Sequence, residues 1–95
     1  MKDQTQKKDP KTFADEIFSH VLELPSGKVV TFKDATAKDA AHARLIIGDD
    51  KTDVEFALLE VCAKINGEQA FMSDFAALSL KDYNELLPEF QKVNF

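Results

Sequence analysis

The stretch Thr52-Asp53-Val54-Glu55-Phe56-Ala57-Leu58-Leu59-Glu60-Val61-Cys62-Ala63-Lys64-Ile65-Asn66-Gly67 decides how this chain is read. Thr52, with Glu55 three residues on, fits a capping box in which each side chain satisfies a backbone N–H of the first helical turn. Asp53 and Glu55 place negative charge at the start and Lys64 places positive charge at the end, as the helix dipole favours. Glu60 and Lys64 stand four apart in the better orientation for an ion pair. Gly67 occupies the place of a left-handed C′ residue that would end the helix. Val54, Leu58, Val61 and Ile65 form one apolar stripe, and Phe56, Leu59, Cys62 and Ala63 widen it, so the helix should be covered on more than one side. A central helix over 53–66 is therefore expected to organise the fold.

Outward from it, ninety-five residues with 44% hydrophobic content and eight Phe suffice for one domain with one modest core. A net charge of -5 argues against nucleic acid as a partner, because phosphate binding needs a basic surface. Residues 1–11 carry +2 through Lys2, Lys7, Lys8 and Lys11 against Asp3 and Asp9, which leaves -7 on 12–95. That leader has no apolar residue after Met1 and is expected to be a disordered tail preceding a single domain over 12–95. Cys62 is the sole cysteine, so no internal disulfide forms and a reducing compartment is expected. No apolar run approaches the roughly 18 residues of a membrane span. The polar N-terminus has no secretory core, and a cytoplasmic location follows as the expectation.

Before the central stretch, Phe18, His20, Leu22 and Leu24 alternate with Ser19, Val21 and Glu23. The run Lys28-Val29-Val30-Thr31-Phe32-Lys33 is β-branched and alternating, and Pro25-Ser26-Gly27 lies between the two. This pattern predicts an antiparallel hairpin, with Gly27 supplying positive φ. Thr36 or Asp34 can cap a helix through Lys38–Ile47, ended by Gly48. After Gly67, Glu68-Gln69-Ala70-Phe71 reads as a connector and Ser73 as the cap of a single turn over 74–78. Ser79, with Asp82, caps a last helix whose apolar face is Tyr83, Leu86, Leu87 and Phe90; Pro88 should kink or divide it. The expected fold is α+β, an N-terminal β-hairpin followed by three to four helices packed around the central one.

Catalytic and metal signatures are missing from this pattern. His20 and His42 fall on different elements, Cys62 is mid-helix, and no pair has the spacing of zinc ligands. The acidic run Asp49-Asp50-Lys51-Thr52-Asp53-Val54-Glu55 lacks the calcium-loop spacing and its distal Glu. Three scattered glycines make no phosphate cradle, and Ser73-Asp74-Phe75 and Leu78-Ser79-Leu80 do not reproduce the Asp-Ser-Leu of phosphopantetheine carriers. The expectation is a protein that is not an enzyme and uses no cofactor and no metal. Phe71, Met72, Phe75 and the Phe90–Phe95 ending either close the core or form an interaction surface.

The order of motifs resembles the small tail assembly chaperones of contractile-tailed bacteriophages and prophages. The resemblance runs through Leu24-Pro25-Ser26-Gly27-Lys28-Val29-Val30, Ala35-Thr36-Ala37-Lys38-Asp39, Cys62-Ala63-Lys64-Ile65-Asn66-Gly67 and Phe75–Leu87. Thr36 with Asp39 stands at the family's "T-x-x-D" helix start, and Leu78, Asp82, Tyr83 and Leu86 at its closing "L-x-x-x-D-(aromatic)-x-x-L" helix. It covers residues 17–90; Pro88 and the Phe-rich ending do not match it. The resemblance implies a non-enzymatic role: binding the tape-measure protein, keeping its apolar helices soluble, and assisting tail-tube assembly in the host cytoplasm. Self-association is left open. Partner binding is expected at the hairpin edge (Val29, Thr31) and the aromatic end (Phe71, Phe75, Phe90). The alternative is a small acidic inhibitor or immunity-type protein that meets a basic enzyme through Asp49, Asp50, Asp53 and Glu55.

Overall fold

A hairpin turn, Asn66-Gly67, sets the architecture apart from the expected one. In the computed structural model, which describes residues 13–48 and 53–95, both turn residues have positive φ (53° and 81°). That is the signature of a type I′ turn, whose twist matches the strands it joins. It connects β3 (Ala63–Ile65) to β4 (Glu68–Gln69). The helix α2 (Val54–Cys62) therefore stops at Cys62, and the central helix over 53–66 is corrected by one turn of helix and a β-hairpin. Residues 68–69 likewise form a strand and not a connector. With Lys64 in β3, the Glu60–Lys64 pair does not form. Glu60 Oε1 instead accepts the Met72 N–H (2.9 Å), and Lys64 Nζ lies 3.7 Å from Asp15 Oδ2.

The N-terminal hairpin is as the pattern demands. β1 (His20–Glu23) pairs antiparallel with β2 (Val29–Phe32), from His20 opposite Phe32 to Glu23 opposite Val29. Gly27 takes φ 97° in the connecting turn, where its N–H donates to the Leu24 carbonyl (2.8 Å). β2 then pairs antiparallel with β3, Val30 opposite Ile65, giving a four-stranded sheet in the order β1-β2-β3-β4. Asn66 locks the register, donating its N–H to the Val29 carbonyl (2.7 Å) while its Oδ1 accepts the Val29 N–H (2.9 Å).

The helices lie on one face of this sheet. Thr36 caps α1 (Ala37–Ile47) with a full capping box: Thr36 Oγ1 accepts the Asp39 N–H and Asp39 Oδ2 accepts the Thr36 N–H. The proposed Thr52 cap of α2 lies outside the described residues, as do the leader over 1–11 and the acids Asp49 and Asp50. Asp53 stands at the N-cap of α2 and makes no side-chain capping bond. α3 (Met72–Ala76) starts two residues earlier than a Ser73 cap would have started it; Phe71 is its N-cap and donates its N–H to Asp74 Oδ2 (2.8 Å). α4 (Leu80–Asn94) is capped by Ser79 and runs through Pro88 undivided. Pro88 is exposed, and its missing N–H costs the ladder one bond on the water side. The fold is α+β, with four helices and four strands among the described residues.

The core forms between this sheet face and the helices. Val30, Phe32 and Leu24 meet Leu58, Leu59, Cys62, Phe75, Leu86 and Phe90, all under a tenth exposed. Each such side chain contributes about 1.5–3 kcal/mol by leaving water. Phe32 and Phe90 meet edge to face at 5.5 Å, and His20 stacks on Phe32 at 5.3 Å. Two side chains tie distant elements together. Asp82, 1% exposed at the start of α4, accepts the Ser26 N–H (3.0 Å) and Ser26 hydroxyl (2.5 Å) of the β1–β2 turn. Its carboxylate thus serves the turn and not the N-cap backbone. At the other end of α4, Asn94 Oδ1 accepts the Ala35 N–H (2.6 Å).

Phe18 leaves the expected alternation. Residues 16–18 bend ahead of β1, and the ring crosses to the sheet face away from the helices. There it lies 4.5 Å from Lys64 Nζ and 5.9 Å from Lys33 Nζ. Phe13 covers the same end of the sheet, against Gly67: a Cβ built on Gly67 would stand 2.6 Å from its Cδ1. Residues 13–18 thus close the second face, and every residue of β2 is buried.

Candidate protein-binding groove

The five expected partner-binding residues separate. Val29 and Thr31 are 5% and 0% exposed, because β2 is paired on both sides and covered on both faces. They offer no open edge, and the edge assignment is corrected: the open edges belong to β1 and β4. Phe75 and Phe90, each 1% exposed, are core residues, so the aromatic cluster is corrected as well. Phe71 alone of the five remains at the surface, 53% exposed.

An open concavity adjoins Phe71 in the chain, since the preceding residue, Ala70, lines it. It lies between β4, the β3 end of the sheet and α3, with a volume of about 510 Å³. That volume falls within the usual range of ligand pockets, about 300–1,000 Å³. Its apolar lining is Ile65, Ala70, Ala77 and Leu78, and its polar lining is Lys28, Asn66, Glu68, Gln69 and Asp74. Ala70 is buried, Ile65 and Leu78 are half-buried, and the charged residues are exposed, so an apolar base is bordered by charge. Phe71 falls in the chain between two lining residues, Ala70 and Asp74, and its amide is bonded to the Asp74 carboxylate.

Local sequence explains why the groove stays open. β4 is short, only Glu68 and Gln69, and the chain leaves the sheet at Ala70 before it enters α3. Phe75 anchors α3 from below, and the bond from the Met72 N–H to Glu60 fixes its start to α2. One wall is then a rigid helix turn and the other a β-edge with outward-facing backbone groups. Sequence reasoning missed this site because it read 66–71 as helix end and connector. The Asn-Gly pair was the available signal.

Elsewhere the chemistry is quiet. Burial, and then the nearby Asp39 charge, push the Cys62 thiol up to about 11, so it stays protonated inside the core. Asp39 is itself partly buried, yet its bonds from Thr36 and Lys33 hold its carboxyl below the usual range. His20 pairs with Asp34 (2.8 Å), while His42 is exposed on α1. Among the described residues no three His, Cys, Asp or Glu side chains gather as a metal site. No helix among them is long and apolar enough to cross a membrane. Of the acids assigned to the inhibitor reading, Glu55 is engaged internally. It accepts Gln91 Nε2 (2.8 Å) and the Tyr83 hydroxyl (3.4 Å), and burial with that carboxylate raises the Tyr83 pKa. Comparison with family models, with curated proteins and with solved structures finds no match for this chain.

Proposed function

We propose that this protein is a non-enzymatic binding module acting as a phage or prophage tail assembly chaperone in the host cytoplasm. Its client in this reading is an apolar helical segment of the tape-measure protein, and it assists tail-tube assembly. The observation that carries the proposal is Phe71, a half-exposed aromatic beside an open groove with an apolar base. Large aromatics at the rim of a concavity are the side chains that anchor protein partners. The motif order around Thr36, Asp39, Asp82 and Tyr83 supports the same reading. The engagement of Glu55 by Gln91 and Tyr83 weighs against an acidic inhibitor surface.

The test is co-expression with the product of the longest neighbouring gene, followed by pull-down at low and high salt. Capture that resists salt and drops at least about tenfold for Phe71→Ala is the expected result. The variant should fold unchanged, because the side chain is half in water. No capture, or capture abolished by salt alone, overturns the proposal and favours an electrostatic partner.

A further inference from the structure

The sheet face away from the helices is covered by the chain's own residues 13–18, and the cover fits imperfectly. Thr31 is 0% exposed on that face, and its hydroxyl has no hydrogen-bond partner among the described residues. An unpaired buried hydroxyl costs free energy, because it gave up water for nothing. The side chains flanking it are Lys33, two along the strand, and Lys64, its cross-strand partner. Phe18 reaches both ammonium groups, and Asp15 Oδ2 lies 3.7 Å from Lys64 Nζ. The segment does not pair as a strand. The Asp15 N–H donates to the Phe18 carbonyl (3.3 Å), and the Ile17 and Phe18 amides donate to Asp15 Oδ1 (2.9 and 2.5 Å). Asp15 and Phe18 therefore reach the sheet through side chains, while Ile17 is 64% exposed.

We propose that residues 13–18 are a displaceable occupant of a second docking surface, formed by Val29, Thr31, Lys33 and Lys64. Its partner is a segment with the same local bend, which presents an aromatic ring with a carboxylate three residues before it. The chain's own occupant defines that chemistry, since Asp15 and Phe18 have this spacing and fill both places. Lys33 is already paired with Asp39 (3.2 Å), so Lys64 is the cation that receives the partner's carboxylate once Asp15 leaves it. A partner that also hydrogen-bonds Thr31 supplies what the resident segment lacks. This surface is separate from the groove beside Phe71, on the opposite face of the sheet.

The probe is a capped peptide copying residues 13–19, titrated by calorimetry into the full chain carrying Phe18→Ala. That substitution vacates the ring's place and keeps the rest of the chain. Binding to F18A at least about tenfold tighter than to the unaltered chain is expected, because the resident segment competes at high effective concentration. Lys64→Gln in the F18A background should weaken the binding, and a peptide with its Phe18 replaced by Ala should not bind. A folded F18A that ignores the peptide, or equal affinity for both chains, overturns the proposal. If F18A does not fold, the peptide is added in excess to the unaltered chain: shifts of the Thr31 and Lys64 amide resonances support displacement, and unmoved resonances refute it.

Discussion

Replacing Asp82 by Ala tests how the start of α4 is fastened to the β1–β2 turn. The carboxylate accepts two bonds from Ser26, from its N–H at 3.0 Å and its hydroxyl at 2.5 Å, while it is 1% exposed. Bonds to a charged acceptor contribute about 1.5–3 kcal/mol each when both partners are shielded. Ser26 is exposed, so its donors regain water in the variant and recover part of that amount. A negative side chain in the first turn of α4 adds about 0.5 kcal/mol through the helix dipole. The expected loss is about 2–3 kcal/mol, read as a shift of the urea midpoint at constant slope. In a domain of this size it corresponds to a fall in Tm of about 10–20 °C. Asp82→Asn keeps one acceptor for the Ser26 N–H and should lose about half as much. Ser26→Ala removes only the hydroxyl bond, for about 1 kcal/mol. In the double-mutant cycle the two sites should couple by about 1 kcal/mol, because both substitutions remove the same bond. A loss below about 0.5 kcal/mol for D82A, or strict additivity with S26A, would falsify the fastening role.

Two further outcomes follow from single positions. Gly67→Ala forces a Cβ onto φ 81° and to 2.6 Å from the Phe13 ring, so it should cost about 1–3 kcal/mol and raise the exchange rate of nearby amides; a midpoint equal to that of the unaltered chain refutes it. Cys62 should resist an aromatic disulfide reagent at pH 8 until the chain unfolds, because its thiol is buried and held protonated. Its folded pKa is raised, so the folded state binds the proton more tightly than the unfolded state. Stability linked to Cys62 is therefore complete below pH 9 and falls as pH rises through about 11. Cys62→Ser should flatten that fall, and an unchanged pH profile between these limits contradicts the assignment.

Much of the architecture was legible because local chemistry and tertiary demand agreed. Pro25-Ser26-Gly27 is a turn by composition, and Thr36-x-x-Asp39 and Ser79 are caps by side-chain chemistry; all three perform those roles. The region 63–69 misled because Val61 and Ile65 fit a helical stripe as well as a strand. Helix charge rules made Lys64 look like a last-turn cation and Gly67 like a C′ residue. What decided the matter was a distant requirement, that β2 have a partner on its second edge, joined to the Asn-Gly preference for positive φ. Phe18 misled for a related reason: alternation assigns a face only while the strand lasts, and β1 begins at His20. The groove was illegible because it results from a strand being short. Exposure of Phe71 beside burial of Phe75 depends on where α3 starts, a shift of two residues that composition does not resolve.

The pairing of β2 with β3 has a kinetic consequence. Each hairpin closes over a few residues, but Val30 meets Ile65 only after the whole helical stretch between them is drawn into a loop. Closing a loop of about 30 residues costs about 3 kcal/mol of chain entropy, against far less for either turn. The two hairpins can therefore assemble early and independently, while the seam between them waits for α1 and α2 to shorten the path. Collapse of the chain into its native topology is thereby gated by helix formation, and the sheet is completed from its middle last.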